Sequence, residues 1–255
     1  MPIDKRHLVP MVFAMILPSA FAAEDPGVNA YRPTVSNPAT LPTPGQLELE
    51  FGGLHVKTGG ARDDSLPYLF KLAFTPEWGI LLGGDAYLWS RDEQGNRIHG
   101  AGDTTVTLKR AFLINDTTAY GIELGAKLPT ANASPGSGKT DFTLSGILSQ
   151  DFGAVHWDAN LGATRLGAPD SGTGRMQTGL SSSFSLPLSS DWTGMAELSG
   201  VRQSGAPTTA QFLAAVSYSP GKRYAIDVGV ARGLNSASQD WSFFTGFVIP
   251  VARLW

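Results

Sequence analysis

The chain contains no cysteine, so neither disulfides nor thiolate-bound metals can staple it. Past its first 22 residues it has no run approaching the ~18 consecutive apolar residues that a membrane-spanning helix requires. It also lacks any block of lysine and arginine able to track a phosphate backbone, so nucleic acid is not an expected partner. Charge of either sign is sparse, at 16% of residues, with 19 bases against 22 acids. Stability must therefore come from an apolar core or from a sheet closed on itself.

The chain does have an N-terminal export pattern. Lys5 and Arg6 precede an apolar run from Leu8 to Leu17, followed by the small-residue site Ala20-Phe21-Ala22. The run is too short to span a bilayer, so it predicts a secretory signal, residues 1–22, cleaved after Ala22. Its loss removes Asp4, Lys5 and Arg6 and leaves 21 acids against 17 bases, a net charge of −4.

Beyond the signal, period-2 alternation dominates. In "LPYLFKLAF" the apolar Leu66, Tyr68, Phe70, Leu72 and Phe74 share one parity while Lys71 lies on the other. "YGIELGAKL" sets Tyr120, Ile122, Leu124 and Leu128 against Glu123 and Lys127, and "RYAIDVGVA" sets Tyr224, Ile226, Val228 and Val230 against Asp227. Twelve such stretches occur, near 46–56, 66–74, 79–89, 102–114, 118–128, 140–152, 155–165, 174–186, 191–202, 208–219, 223–233 and 241–255. Several match the ~9 to 11 residues of a tilted β-crossing. Their connectors alternate between short (75–78, 115–117, 153–154, 187–190, 220–222) and longer polar or glycine-rich ones (57–65, 90–101, 129–139, 166–173, 203–207, 234–240).

Short turns on one side and long loops on the other, with an even strand count, predict an all-β chain: a transmembrane antiparallel up-and-down β-barrel of 12 strands over residues 45–255. A soluble barrel would share the period but reverse its sidedness. The apolar face carries more aromatic and leucine side chains than a small soluble interior can hold. Tyr68, Phe74, Trp78, Trp157, Trp192, Tyr218, Tyr224 and Trp241 cluster near strand ends, as girdles at two membrane interfaces do. The last stretch ends on Trp255 with Trp241, Phe243, Phe247, Ile249 and Val251 in the same parity, a terminal pattern suited to the barrel assembly machinery. An open edge in hydrocarbon would leave backbone amides unpaired, so the sheet must close.

With the mixed face inward, the lumen-lining charges are Glu48, Glu50, Lys71, Asp85, Asp103, Lys109, Glu123, Lys127, Asp141, Asp158, Arg175, Glu197 and Asp227. Two readings stay open. The charges either pair across strands and fill the interior, or line a water path whose acid excess favours cations and neutral solutes. Arg165, Arg202 and Arg232 fall at outward parity near the long-loop ends, within reach of lipopolysaccharide phosphates. Residues 23–44, rich in proline and containing Arg32 and Pro33, are either a periplasmic tail or a strap or plug entering the barrel mouth.

The stretch "ASPGSGKT", from Ala133 to Thr140, satisfies the loose phosphate-loop pattern, but "TDFTLSGILSQDF" after it alternates as a strand. With no helix to present its N-terminal amides, it predicts a hairpin loop and no nucleotide binding. His55, His99 and His156 are scattered, none beside a serine at a spacing that would build a nucleophile and base. Neither enzymatic activity, nor a metal, nor a cofactor is expected.

With the strands placed, "YRPTVSNPATLPTPGQLELEFGG" (31–53), "GAGDTTVTLKRAF" (100–112), "AKLPTA" (126–131) and "GSGKTDF" (136–142) resemble the MetA-pathway of phenol degradation family of outer-membrane proteins. Arg32, Pro33, Gly102, Asp103, Lys109, Lys127, Pro129, Gly138, Lys139 and Asp141 occupy matching positions, while Thr107 and Arg110 depart from the pattern. The resemblance implies a transporter-like barrel of the bacterial outer membrane, passing small hydrophobic or aromatic organic solutes. Its expected partners are outer-membrane lipid and lipopolysaccharide, the solute and the assembly machinery. A non-conducting structural or surface-interaction barrel, or a lipid hydrolase, are the alternatives.

Overall fold

A computed structural model describes residues 27–131 and 136–255. The expected signal, residues 23–26 and the loop residues 132–135 lie outside the described residues. Alternating sequence becomes strand almost throughout. The strands are β1 (Gln46–Thr58), β2 (Ala61–Ala73), β3 (Trp78–Arg91), β4 (Arg97–Gly100), β5 (Thr104–Asn115), β6 (Thr118–Leu128), β7 (Asp141–Phe152), β8 (Val155–Arg165), β9 (Met176–Pro187), β10 (Trp192–Gln203), β11 (Thr209–Tyr218), β12 (Ala225–Gly233) and β13 (Trp241–Arg253).

Each strand pairs antiparallel with its neighbour, and β1 pairs with both β2 and β13, which closes the sheet. β4 and β5 both lie against β3, β4 along 88–91 and β5 along 78–84. They are two halves of one stave interrupted at 101–103, so the structure is a closed barrel of twelve staves. The first residue of β1 and the last of β13 lie at one mouth, where Gln46 pairs with Arg253.

Two long connectors expected from the sequence are mostly strand. Only Gly59 and Gly60 separate β1 from β2, where a loop at 57–65 was expected, and only 92–96 separates β3 from β4 within the expected loop 90–101. These residues are polar on both faces above the apolar belt. The period-2 signal fades there although the backbone ladder continues.

Sidedness follows from exposure. Leu124 and Leu144, directly paired on β6 and β7, are 55% and 54% exposed, whereas the neighbouring inward Glu123 is only 8% exposed. A soluble barrel shows the opposite order, so the outer surface is the lipid-facing one. Phe74, Trp78, Phe152, Trp192 and Tyr224 ring the mouth that holds the termini, and Trp89 and Trp241 mark the far end. Trp192 packs against Tyr218 with ring centres 4.9 Å apart and planes tilted by 40°.

Candidate functional site

Residues 27–44 form no strand or helix, so their backbone groups cannot satisfy one another. Four are prolines, Pro33, Pro38, Pro42 and Pro44, and lack an N–H altogether. Every buried donor that remains needs an acceptor. The barrel interior supplies them. The amide of Asn29 donates to Glu48 at 3.1 Å, that of Tyr31 to Glu50 at 2.7 Å, and that of Ser36 to Glu197 at 2.8 Å. The Asn37 amide reaches Asn160 Oδ1 at 2.7 Å, and that of Ala39 reaches Ser149 Oγ at 2.7 Å.

Carbonyls of the segment are met by interior cations and amides. Lys71 Nζ donates to Asn29 O, Lys109 Nζ to Pro38 O at 2.5 Å, and Asn160 Nδ2 to Asn37 O at 2.9 Å. Through these contacts the segment is hydrogen-bonded to six different staves, β1, β2, β5, β7, β8 and β10. Ser36 and Ala39 have no exposure at all.

The interior charges also pair with one another. Lys71 sits between Glu48 Oε2 at 3.0 Å and Glu50 Oε1 at 2.5 Å, and Lys109 meets Glu123 Oε1 at 2.9 Å. The Tyr31 ring lies between the two ammoniums, 4.4 Å from Lys71 Nζ and 4.2 Å from Lys109 Nζ, and its hydroxyl donates to Thr40 O at 2.7 Å. The Arg32 guanidinium forks onto Asp227 at 3.0 and 3.1 Å. A further chain runs from His156, held by Asp151 at 2.5 Å and Asp158 at 3.2 Å, through the hydrogen bond between Ser149 and Asp158 to the amide of Ala39.

The other expected lumen charges lie nearer the far mouth. Lys127 bridges Asp103 at 3.3 Å and Asp141 at 2.8 Å, and Asp103 accepts the amide of Ala131 at 3.1 Å. Asp85 has no ion-pair partner among the described residues. Arg175 lies outside β9, its guanidinium 3.2 Å from Gly167 O in the β8–β9 loop. Asp103 likewise falls in the break between β4 and β5. In "ASPGSGKT" the described residues 136–140 lead directly into β7, and Lys139 is exposed. No helix follows to cradle phosphate.

Above the seated segment, on the far side from the termini, two recesses share Val35, Gln211 and Gln239. One, of about 430 Å³, is lined mainly by hydroxyl, amide and glycine positions of β7 to β11, including Thr143, Ser145, Asn160, Gln177, Ser181 and Ser199, together with Glu123 of β6, Leu180 and Val201. The other, of about 340 Å³, is largely apolar and bordered by Pro33, Leu54, Val56, Pro67, Leu213 and Phe244. Sequence reading missed both, and missed Tyr31, Asn37, Ser149 and Asn160 as contacts. The inward parity of Ser149 and Asn160 was a usable signal; nothing local marks which residues of the segment face them.

No family model matches the chain, and no curated protein does so in sequence. Solved structures do match in shape. An outer-membrane channel from Pseudomonas putida F1 superposes with a TM-score of 0.66 over 84% of this chain and 98% of that one, at 12% identity. The fold is that of an outer-membrane barrel. The NanC porin gives 0.58 over 80% of this chain and all of that one at 11% identity, and the CymD monoaromatic hydrocarbon channel gives 0.52 over 84% and 90% at 9% identity. Barrels of this shape close their backbone hydrogen bonds internally, as a segment in hydrocarbon must.

Proposed function

We propose that the protein is a passive channel of the bacterial outer membrane for small organic solutes that are hydrophobic or aromatic, and that residues 27–44 set its constriction. The observation that carries this reading is the two-faced vestibule ending on the seated segment. Its apolar half suits a ring or short hydrocarbon, and its hydroxyl and amide half suits a single polar group on the same solute. The sequence blocks resembling the phenol-degradation family and the likeness in shape to the CymD monoaromatic hydrocarbon channel support the same solute class.

In this reading the inner charges do two things. Glu48, Glu50, Lys71, Lys109, Glu123, Asp158, Glu197 and Asp227 seat the segment by meeting its backbone or side chains, directly or through their ion pairs. Asp85, Asp103, Lys127, Asp141 and Arg175 line the far mouth and bias what enters it. Lipid contact is made by the apolar belt, lipopolysaccharide contact by outward arginines, and recognition by the assembly machinery through β13 and the Trp255 that follows it.

The dense seating of the segment favours a second reading, a sealed structural barrel. Planar-bilayer recording and liposome swelling with phenols, short alkanols and sugars separate the two. Swelling by phenols ahead of sugars is the expected result; a barrel silent in both assays would sink the channel. We read the protein as a channel rather than an enzyme because the similar structures are channels and porins.

A further inference from the structure

The lipid-facing wall holds an arrangement that the lumen does not use. Cross-strand register aligns Arg232 with Trp241, Trp241 with Lys57, Lys57 with Arg62, Arg62 with Arg91, and Arg91 with Arg97. Directly paired residues share one face of an antiparallel sheet, and Trp241 has the parity of the lipid-facing Phe243 and Phe247. Five cations and a tryptophan therefore form one outward row across β12, β13 and β1 to β4, at the mouth away from the termini.

The row beneath it, two residues nearer the belt, reads Val230, Phe243, His55, Asp64, Trp89 and His99 in the same register. The cationic row thus sits just above an aromatic girdle, at the depth where outer-leaflet headgroups lie.

Arg62, Arg91 and Arg97 face one another on adjacent strands, about 4.8 Å apart in the pairing direction. Like charges directly opposite are destabilising, so the row needs an external counter-anion. Acidic neighbours supply it for Arg62 alone. Among the described residues only Arg62 has a carboxylate within ion-pair distance, Asp64 at 2.6 Å. Asp63 bonds Ser90 on the inward face, Asp92 is taken by Asn96, and Asp240 accepts the amide of Gly59. Arg62, Arg91 and Arg97 border a cleft of about 400 Å³ whose apolar wall includes Trp89.

We infer that this row binds the phosphates of a bisphosphorylated outer-leaflet glycolipid of the lipid A type, with its acyl chains along the aromatic row. Scattered cations at an interface are explained by snorkelling alone; three arginines in direct opposition over a cleft are not. The inference rests on the outer-membrane reading above and adds the site and the ligand to it.

Native mass spectrometry of the full-length protein, delipidated in detergent and given bisphosphorylated lipid A, monophosphorylated lipid A, phosphatidylglycerol or inorganic pyrophosphate, tests it. Bisphosphorylated lipid A should be held most tightly. R91Q/R97Q should weaken its retention about tenfold or more, as expected for losing charge-assisted contacts, while R110Q, beside Trp78 at the opposite mouth, leaves it unchanged. Heat-modifiable gel mobility reports that each variant is still a closed barrel. Equal retention by R91Q/R97Q, or phosphatidylglycerol or pyrophosphate held as tightly as lipid A, would overturn the site alone. A wild-type protein that never enters a bilayer would overturn the outer-membrane reading and this site with it.

Discussion

Arg32 and Asp227, 195 positions apart, meet through two hydrogen bonds of 3.0 and 3.1 Å beside the seam where β13 closes on β1. The guanidinium lies over Gly52 and Gly246, a directly paired couple, and a Cβ on Gly246 would come within 2.5 Å of it. Glycine is required at that point because Arg32 occupies the space a side chain would fill. Gly246→Ala should therefore expel Arg32, loosen the segment and raise single-channel conductance in planar bilayers. Unchanged conductance would mean that this contact does not hold the constriction.

The Lys71 cluster tests whether the buried charges act as a unit. Lys71→Met leaves Glu48 and Glu50 adjacent and uncompensated, and should cost about 3–5 kcal/mol in urea unfolding from liposomes. Adding Glu48→Gln and Glu50→Gln to Lys71→Met should restore much of that loss, since no buried charge is then left alone. If the triple variant is no more stable than the single one, the carboxylates matter to the segment more than to Lys71.

Tyr31 contributes both a ring and a hydroxyl. Tyr31→Phe keeps the ring between the ammoniums of Lys71 and Lys109 and loses only the hydrogen bond to Thr40, at a cost of about 1 kcal/mol. Tyr31→Ala loses both. Limited proteolysis of residues 27–44 in the folded barrel should be barely faster for the first variant and clearly faster for the second.

Deleting residues 27–44 takes the segment's amides from Glu48, Glu50 and Glu197 and Arg32 from Asp227, and opens an acid-rich lumen. Reversal potentials in a salt gradient should show strong cation preference. A deletion barrel that stays non-selective would show that the acids are neutralised from within the wall.

Leu124 is at the middle of β6 and faces outward. Leu124→Arg should destabilise the barrel in liposomes by about 2–4 kcal/mol, whereas the same change nearer a girdle should cost about 1 or less. Urea titrations followed by tryptophan fluorescence measure both. A negligible loss at position 124 would contradict lipid contact on that face.

The strands, their count and their sidedness were legible because each strand carries its own alternation, and a residue's face depends only on its parity. Leu124 and Glu123 declare opposite faces without reference to any other strand. Within the expected loops 57–65 and 90–101, Lys57–Thr58, Ala61–Ser65, Ser90–Arg91 and Arg97–Gly100 are strand instead, because water bathes both faces there and no hydrophobic contrast marks a strand that backbone pairing alone maintains. The acids at inward parity were also legible, from Glu48 to Asp227. Their partners were not. Whether Asp227 faces water, a lysine or Arg32 depends on which staves stand opposite each other and on what threads between them.

Local alternation thus carries the barrel, because burial against lipid selects side chains one strand at a time. The seat of residues 27–44, the vestibule above it and the arginine row on the wall belong to register and closure. Those bring Arg32 to Asp227, Ser36 to Glu197 and Arg62 to Arg91 through contacts between distant or separately wound segments, which no stretch of the chain encodes by itself.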